Sequence, residues 1–161
     1  MLVNYQTEKN MAGLYYEEFS VGQIFEHPIR RTVTDTDNIL FTTMTHNPAR
    51  LHLDEEYMKN ETEFGGIIVN SMFTLSLMIG VTVYDTTLGT TVANLGMDEI
   101  KFPNPVFPGD TLHVQTEILE KRDSKSRPTN GIVLFQHRAY NQKSDLVATC
   151  NRSGLMLRKP T

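Results

Sequence analysis

Residues 67 to 85, IIVNSMFTLSLMIGVTVYD, constrain the fold of this chain more than any other stretch. Asn70, Ser71, Thr74, Ser76, Gly80 and Thr82 interrupt the run, which falls short of the ~20 continuous apolar residues a membrane span needs. Ile68, Met72, Leu75, Ile79 and Val83 recur at spacings of three and four, and most of the opposite face is apolar too. The pattern predicts a helix buried nearly all round. The rest of the chain has to supply its cover.

That cover is legible downstream. From residue 90 onward, TVANLGMDEIKF, DTLHVQTEILEKR, GIVLFQHRAYNQ and DLVATCNRSGLML read as four strands, separated by PNPVFPG, DSKSRPTN and NQKSD. Upstream, YYEEFSVGQIF (15–25) reads as an edge strand with a turn at Gly22, and IRRTVT alternates polar and apolar residues. A helix capped by Thr34 or Thr36 follows and ends before Pro48, because the residue ahead of a proline disfavours helical geometry. THNPARLH then forms a loop, and Asp54 caps a short helix over EEYMKN. The order predicts an α+β protein in which one antiparallel sheet wraps one central helix. Residues 1–161 form a single domain in this reading, with 1–13 a loose N-terminal arm that has neither the basic nor the apolar region of a targeting peptide.

Composition removes several function classes. A net charge of -4 leaves no basic excess for nucleic acid, and the longest apolar run argues against a membrane-spanning role. One cysteine, Cys150, excludes an intrachain disulfide and suits a reducing cytoplasm. It reads as a small buried hydrophobe.

Motifs in a fixed order carry a resemblance to a known family. YYEEFSVGQ at 15–23 is followed by TVTDTDNILFTTMTHNPARLHLDEEYMKNETEFGGIIVNS, which contains the H-x-D-x-x-[YF] run His52, Asp54 and Tyr57, then Phe64-Gly65. FPNPVFPGDTLHVQTEILEKR comes after the long helix. Taken together, the chain resembles the MaoC-like dehydratases and hydratases of the hot-dog fold over nearly its whole length. NPARLHLD, Asn70-Ser71, VANLGMDEIKFP and EKRDSKSRPTNGIV make it most similar to the mesaconyl-CoA hydratases, also called β-methylmalyl-CoA dehydratases. The resemblance implies a homodimer, or a higher oligomer built from dimers, with active sites where a helix and loop of one subunit meet the partner. It also implies an acyl-CoA thioester whose α,β bond gains or loses water, with no cofactor beyond the coenzyme A of the substrate.

Such a reaction needs a base for the α proton, an acid for the departing hydroxyl, and donors to the thioester oxygen. The family motif G-D-x-N-P-x-H places an aspartate five residues before the histidine, whereas here that position is Asn47. An amide holds and orients water but exchanges no proton at neutral pH. Three alternatives stand for the missing carboxylate. His52 carries proton transfer alone with Asn47 positioning water, or His46 takes part, or the chain binds thioesters without turning them over. We expect the first, because an imidazole changes charge near pH ~6.5 and serves as base in one direction and acid in the other.

The resemblance further assigns the oxyanion donor to a backbone amide at the start of the central helix, here Asn70-Ser71. Arg50 is a candidate for reading a second carboxylate on a dicarboxylic acyl chain, the alternative being a surface arginine paired with Glu55 or Glu56. Arg122, Lys125 and Arg127 in RDSKSRP are candidates for the coenzyme A phosphates, the alternative being a solvated hairpin tip. Gly109-Asp110 reads as a turn, Met72 and Met78 as core, and His46, His52 and Asp54 make no closed metal-ligand set. Thioesterase chemistry ranks below hydration because Glu61 and Glu63 precede the helix start by several residues.

Overall fold

A computed structural model describes residues 13–160. The short strand β1 (Ile24–Glu26) and β2 (Arg31–Thr32) lead to helix α1 (Asp35–Met44), a 3-10 turn at Arg50–His52, helix α2 (Glu55–Asn60) and the central helix α3 (Ser71–Thr86). Four long strands follow, β3 (Thr91–Lys101), β4 (Thr111–Asp123), β5 (Asn130–Tyr140) and β6 (Leu146–Leu157). They pair antiparallel in the order β1-β4-β5-β6-β3, with β2 also on β4.

Binary alternation produces this sheet. Leu112, Val114, Thr116 and Ile118 of β4, and Val133, Phe135, His137 and Ala139 of β5, point to the same buried face. That face lies against α3, with which Met78 and Val81 share one core cluster, and Phe19 seals the far end by an edge-on contact with Phe135 at 5.4 Å. Cys150 is fully buried, and burial raises its thiol pKa. No helix among the described residues is long and apolar enough to cross a membrane.

Local chemistry sets the ends of the elements. Thr34 caps α1 by accepting from the Asp37 amide while Asp37 bonds back to the Thr34 amide, and Asp54 caps α2 by accepting from the Tyr57 amide. Gly109 turns with φ 97° while Asp110 accepts from the Phe107 amide, which makes PVFPGD a turn into β4.

Two expectations need correction. YYEEF is not a strand: Glu18 reaches back to the Tyr15 amide and winds Tyr16–Glu18 into a 3-10 turn, leaving β1 only Ile24–Glu26. The Tyr16 ring occupies the space over Gly131, where a Cβ would lie 2.1 Å from it. Helix α3 starts at Ser71, at the Asn70-Ser71 position that the resemblance implied, because Asn70 accepts from the Met72 amide as N-cap and Val69 is tied to the Val106 carbonyl at 2.8 Å.

The covered face of α3 is also different. It is Thr74, Met78, Val81, Thr82 and Thr86, while Met72 is 46% exposed and Leu75, Ile79 and Val83 are half-buried. The threonines go inward because Thr82 and Thr86 return their hydroxyls to the Ile79 and Thr82 carbonyls of their own helix. Of the anticipated arm at 1–13, residues 1–12 lie outside the described residues, while Gly13 is not loose: it and Leu14 are fastened by their amides to the Leu88 and Thr86 carbonyls.

Beneath α3 a buried polar chain crosses the sheet. Arg152 Nε donates to His137 Nε2 at 3.2 Å, His137 Nδ1 meets Thr116 Oγ1 at 2.8 Å, Thr116 Oγ1 meets His27 Nε2 at 2.7 Å, and His27 Nδ1 meets Asp85 at 2.7 Å. A guanidinium only donates, so His137 accepts at Nε2 and donates from Nδ1 to Thr116, while at the other end His27 donates from Nδ1 to the Asp85 carboxylate.

Candidate functional site

The cleft lies where the start of α3 meets the 50–52 turn and the loop after β3. It encloses about 420 Å³ and is lined by His52, Ser71, Thr74 and Asn104 among apolar neighbours including Phe64 and Val106. Ile68 and Val69 form one wall: the Ile68 amide bonds to the Leu51 carbonyl at 3.2 Å, and Val69 is held by the loop opposite.

His52 is half-buried at the mouth. Its Nδ1 lies 2.9 Å from the Ile68 carbonyl, which can only accept, so Nδ1 carries a proton and Nε2 is the nitrogen left for proton exchange. Its own carbonyl accepts from Asn38 Nδ2 at 2.9 Å. At the start of α3 the amides are divided. Asn38 Oδ1 takes the Asn70 amide at 2.9 Å and Asn70 Oδ1 takes the Met72 amide at 3.0 Å, whereas the Ser71 amide between them has no acceptor among the described residues. A helix-start amide with no acceptor among the described residues and an imidazole held by its Nδ1 therefore belong to two residues that line one cleft.

The other sequence candidates lie elsewhere. Asn47 is on the turn after α1 with Oδ1 accepting from the Ala49 amide at 3.0 Å, and it does not line the cleft. His46 beside it is exposed in the left-handed region at φ 53°. Arg50 does not line the cleft and lies 2.8 Å from Asp54 and 3.7 Å from Glu61, with its guanidinium 4.0 Å over the Tyr57 ring. The Asp54 and Glu61 carboxylates raise its pKa, and the Tyr57 amide, followed by Arg50 itself, lowers that of Asp54. The partners of Arg50 are not Glu55 or Glu56, the pairing considered from sequence. Lys125 and Arg127 are exposed on the β4–β5 hairpin tip and Arg122 stands beside Glu120. β4 is roughly 40 Å long at about 3.3 Å per residue, and the cleft is at its opposite end. No cluster of three His, Cys, Asp or Glu that could hold a metal occurs among the described residues.

Sequence reading missed Asn38 and Thr42. Both are buried on α1, and Asn70 Nδ2 donates to Thr42 Oγ1 at 3.3 Å. Two polar residues four apart on the inner side of a helix were the available signal.

The family model of the MaoC like domain matches residues 18–140. The chain belongs to the MaoC-like domain family. Its six-stranded antiparallel sheet around α3 is the hot-dog fold. A mesaconyl-CoA hydratase from Cereibacter sphaeroides is 29% identical over 94% of this MaoC-like chain, which spans 43% of that relative. A β-methylmalyl-CoA dehydratase from Chloroflexus aurantiacus is 28% identical over 86% of the chain, covering 39% of the relative. The MaoC-like chain thus spans about two fifths of the length of these curated relatives. A solved Archaeoglobus protein named as a monoamine oxidase regulatory protein superposes with a TM-score of 0.81 at 32% identity, over 92% of this chain and 97% of the other.

Proposed function

We propose that this chain adds water to, or removes it from, the α,β bond of a short acyl-CoA thioester. One observation carries the reading: His52, whose Nδ1 is tied to the Ile68 carbonyl, and Ser71, whose amide has no acceptor among the described residues, line the same cleft. The amide polarises the thioester oxygen as negative charge develops on it, and His52 removes the α proton and returns a proton to the leaving hydroxyl. In hydration the roles reverse. In this proposal the Ile68 carbonyl occupies Nδ1, which leaves Nε2 as the reacting nitrogen. Asn47 lies off the cleft with its oxygen accepting from the Ala49 amide, so proton transfer in this proposal rests on His52 without it.

The names of the curated relatives support mesaconyl-CoA or β-methylmalyl-CoA as the substrate. Arg50 reads the extra carboxylate in this proposal only by exchanging Asp54 and Glu61 for it.

Assembly enters through β3, an edge strand that exposes Val92, Leu95 and Ile100. Antiparallel pairing of two β3 edges sets the end of one β3 beside the start of the other. The partner's hairpin tip, with Arg122, Lys125 and Arg127, then lies at the same end as this chain's cleft, where the coenzyme A phosphates need cations. A single buried cysteine fits a cytoplasmic setting.

Loss of the enoyl thioester absorbance, followed in parallel with mesaconyl-CoA and crotonyl-CoA and abolished by His52→Ala, is the expected result. Coenzyme A binding without absorbance change across an acyl panel, and without deuterium exchange at the α carbon, would establish the alternative of a binding domain, which Asn47 in place of a carboxylate favours.

A further inference from the structure

Asn38 is 1% exposed, lies outside the cleft, and bonds to both halves of the catalytic arrangement. Its Nδ2 donates to the His52 carbonyl at 2.9 Å and its Oδ1 accepts from the Asn70 amide at 2.9 Å. The His52 ring closes the circuit by donating to the Ile68 carbonyl, two residues before Asn70 on the strap that enters α3. Three segments distant in sequence, α1, the 50–52 turn and the helix start, are thereby tied in one ring of hydrogen bonds. We propose that Asn38 is a positioning residue that fixes the His52 imidazole relative to the Ser71 amide. This rests on the hydratase reading above.

The chemistry selects asparagine. A planar carboxamide presents one donor and one acceptor at fixed separation, and the two backbone groups it meets are of opposite kind. Aspartate keeps the acceptor for the Asn70 amide and loses the donor to the His52 carbonyl. Leucine keeps the volume and loses both. Asn38 also determines which amide stays free: it occupies that of Asn70, Asn70 occupies that of Met72, and the Ser71 amide is left for the ligand.

The test is a double-mutant cycle on the full chain with crotonyl-CoA and mesaconyl-CoA, comparing wild type, Asn38→Leu, His52→Ala and the double variant, each assayed well below its own melting temperature. Displacing reacting groups by a fraction of an ångström to 1 Å predicts a fall in kcat on the order of 10- to 100-fold with KM within about threefold. Most of that loss should vanish in the His52→Ala background, since Asn38 then has no imidazole to position. If the Leu variant does not fold, Asn38→Asp, which keeps the Asn70 bond, carries the same comparison. A loss of equal size with and without His52, or a change confined to KM, overturns the positioning role and leaves the hydratase reading intact. Full activity of His52→Ala overturns both.

Discussion

At the scale of single residues, His52 and Gly131 are held for different reasons and should fail differently. His52→Ala removes the one titratable side chain lining the cleft while leaving the core untouched, so kcat/KM should fall about 10²- to 10⁴-fold with little change in melting temperature. Steady-state kinetics beside calorimetry separates the two. Gly131→Ala should do the reverse. Its new methyl group would enter the space of the Tyr16 ring, which sits under the Lys121 ammonium at 4.5 Å and the Arg158 guanidinium at 4.8 Å. Displacing that ring should destabilise the fold by about 1–3 kcal/mol, lowering the melting temperature by roughly 2–4 °C per kcal/mol, with activity retained below it. His52 was legible in the sequence because its motif is local. Asn38 was not, because its value lies in two partners 14 and 32 residues away.

At the scale of elements, β4 and β5 were readable because one face is buried and alternation has a period of two. The face of α3 was misread because apolar counting ranks threonine as polar, and a helix interior satisfies its hydroxyl locally. The buried chain from Arg152 to Asp85 joins α3, the segment after β1 and three strands, and it has a pH consequence. Burial, reinforced by the Arg152 charge and by His27, holds His137 well below the usual imidazole range. The unfolded chain binds the proton that folded His137 refuses. Stability from this group is therefore complete above about pH 6.5 and declines as pH falls below it, by up to about 1.4 kcal/mol per pH unit. Urea unfolding at pH 7.5, 6.0 and 5.0 should show that slope. His137→Gln should flatten it, and an unchanged slope would locate the sensitivity in another group.

At the scale of the whole molecule, the exposed β3 edge and the distant hairpin tip make a joint prediction. Leu95→Lys should shift the mass in light scattering towards the monomer and lower activity with it. The shared site can be tested by mixing inactive subunits. His52→Ala paired with a subunit carrying Arg122→Ala, Lys125→Ala and Arg127→Ala should regain activity, because one of the two clefts then receives both a sound histidine and a sound tip. If each tip served its own cleft, mixing would restore nothing.

The order of the strands along the chain bears on how the protein is made. Helix α3 is complete at Thr86, but β4, β5 and β6, which cover it, end at Leu157. At about 5–20 residues per second the ribosome needs roughly 4 to 14 seconds to deliver them. Throughout that interval an apolar helix waits beside β1, whose pairing partner Glu117 has yet to be synthesised when Ile24 emerges. Nascent chains of this protein should consequently be clients of ribosome-associated chaperones until β6 emerges.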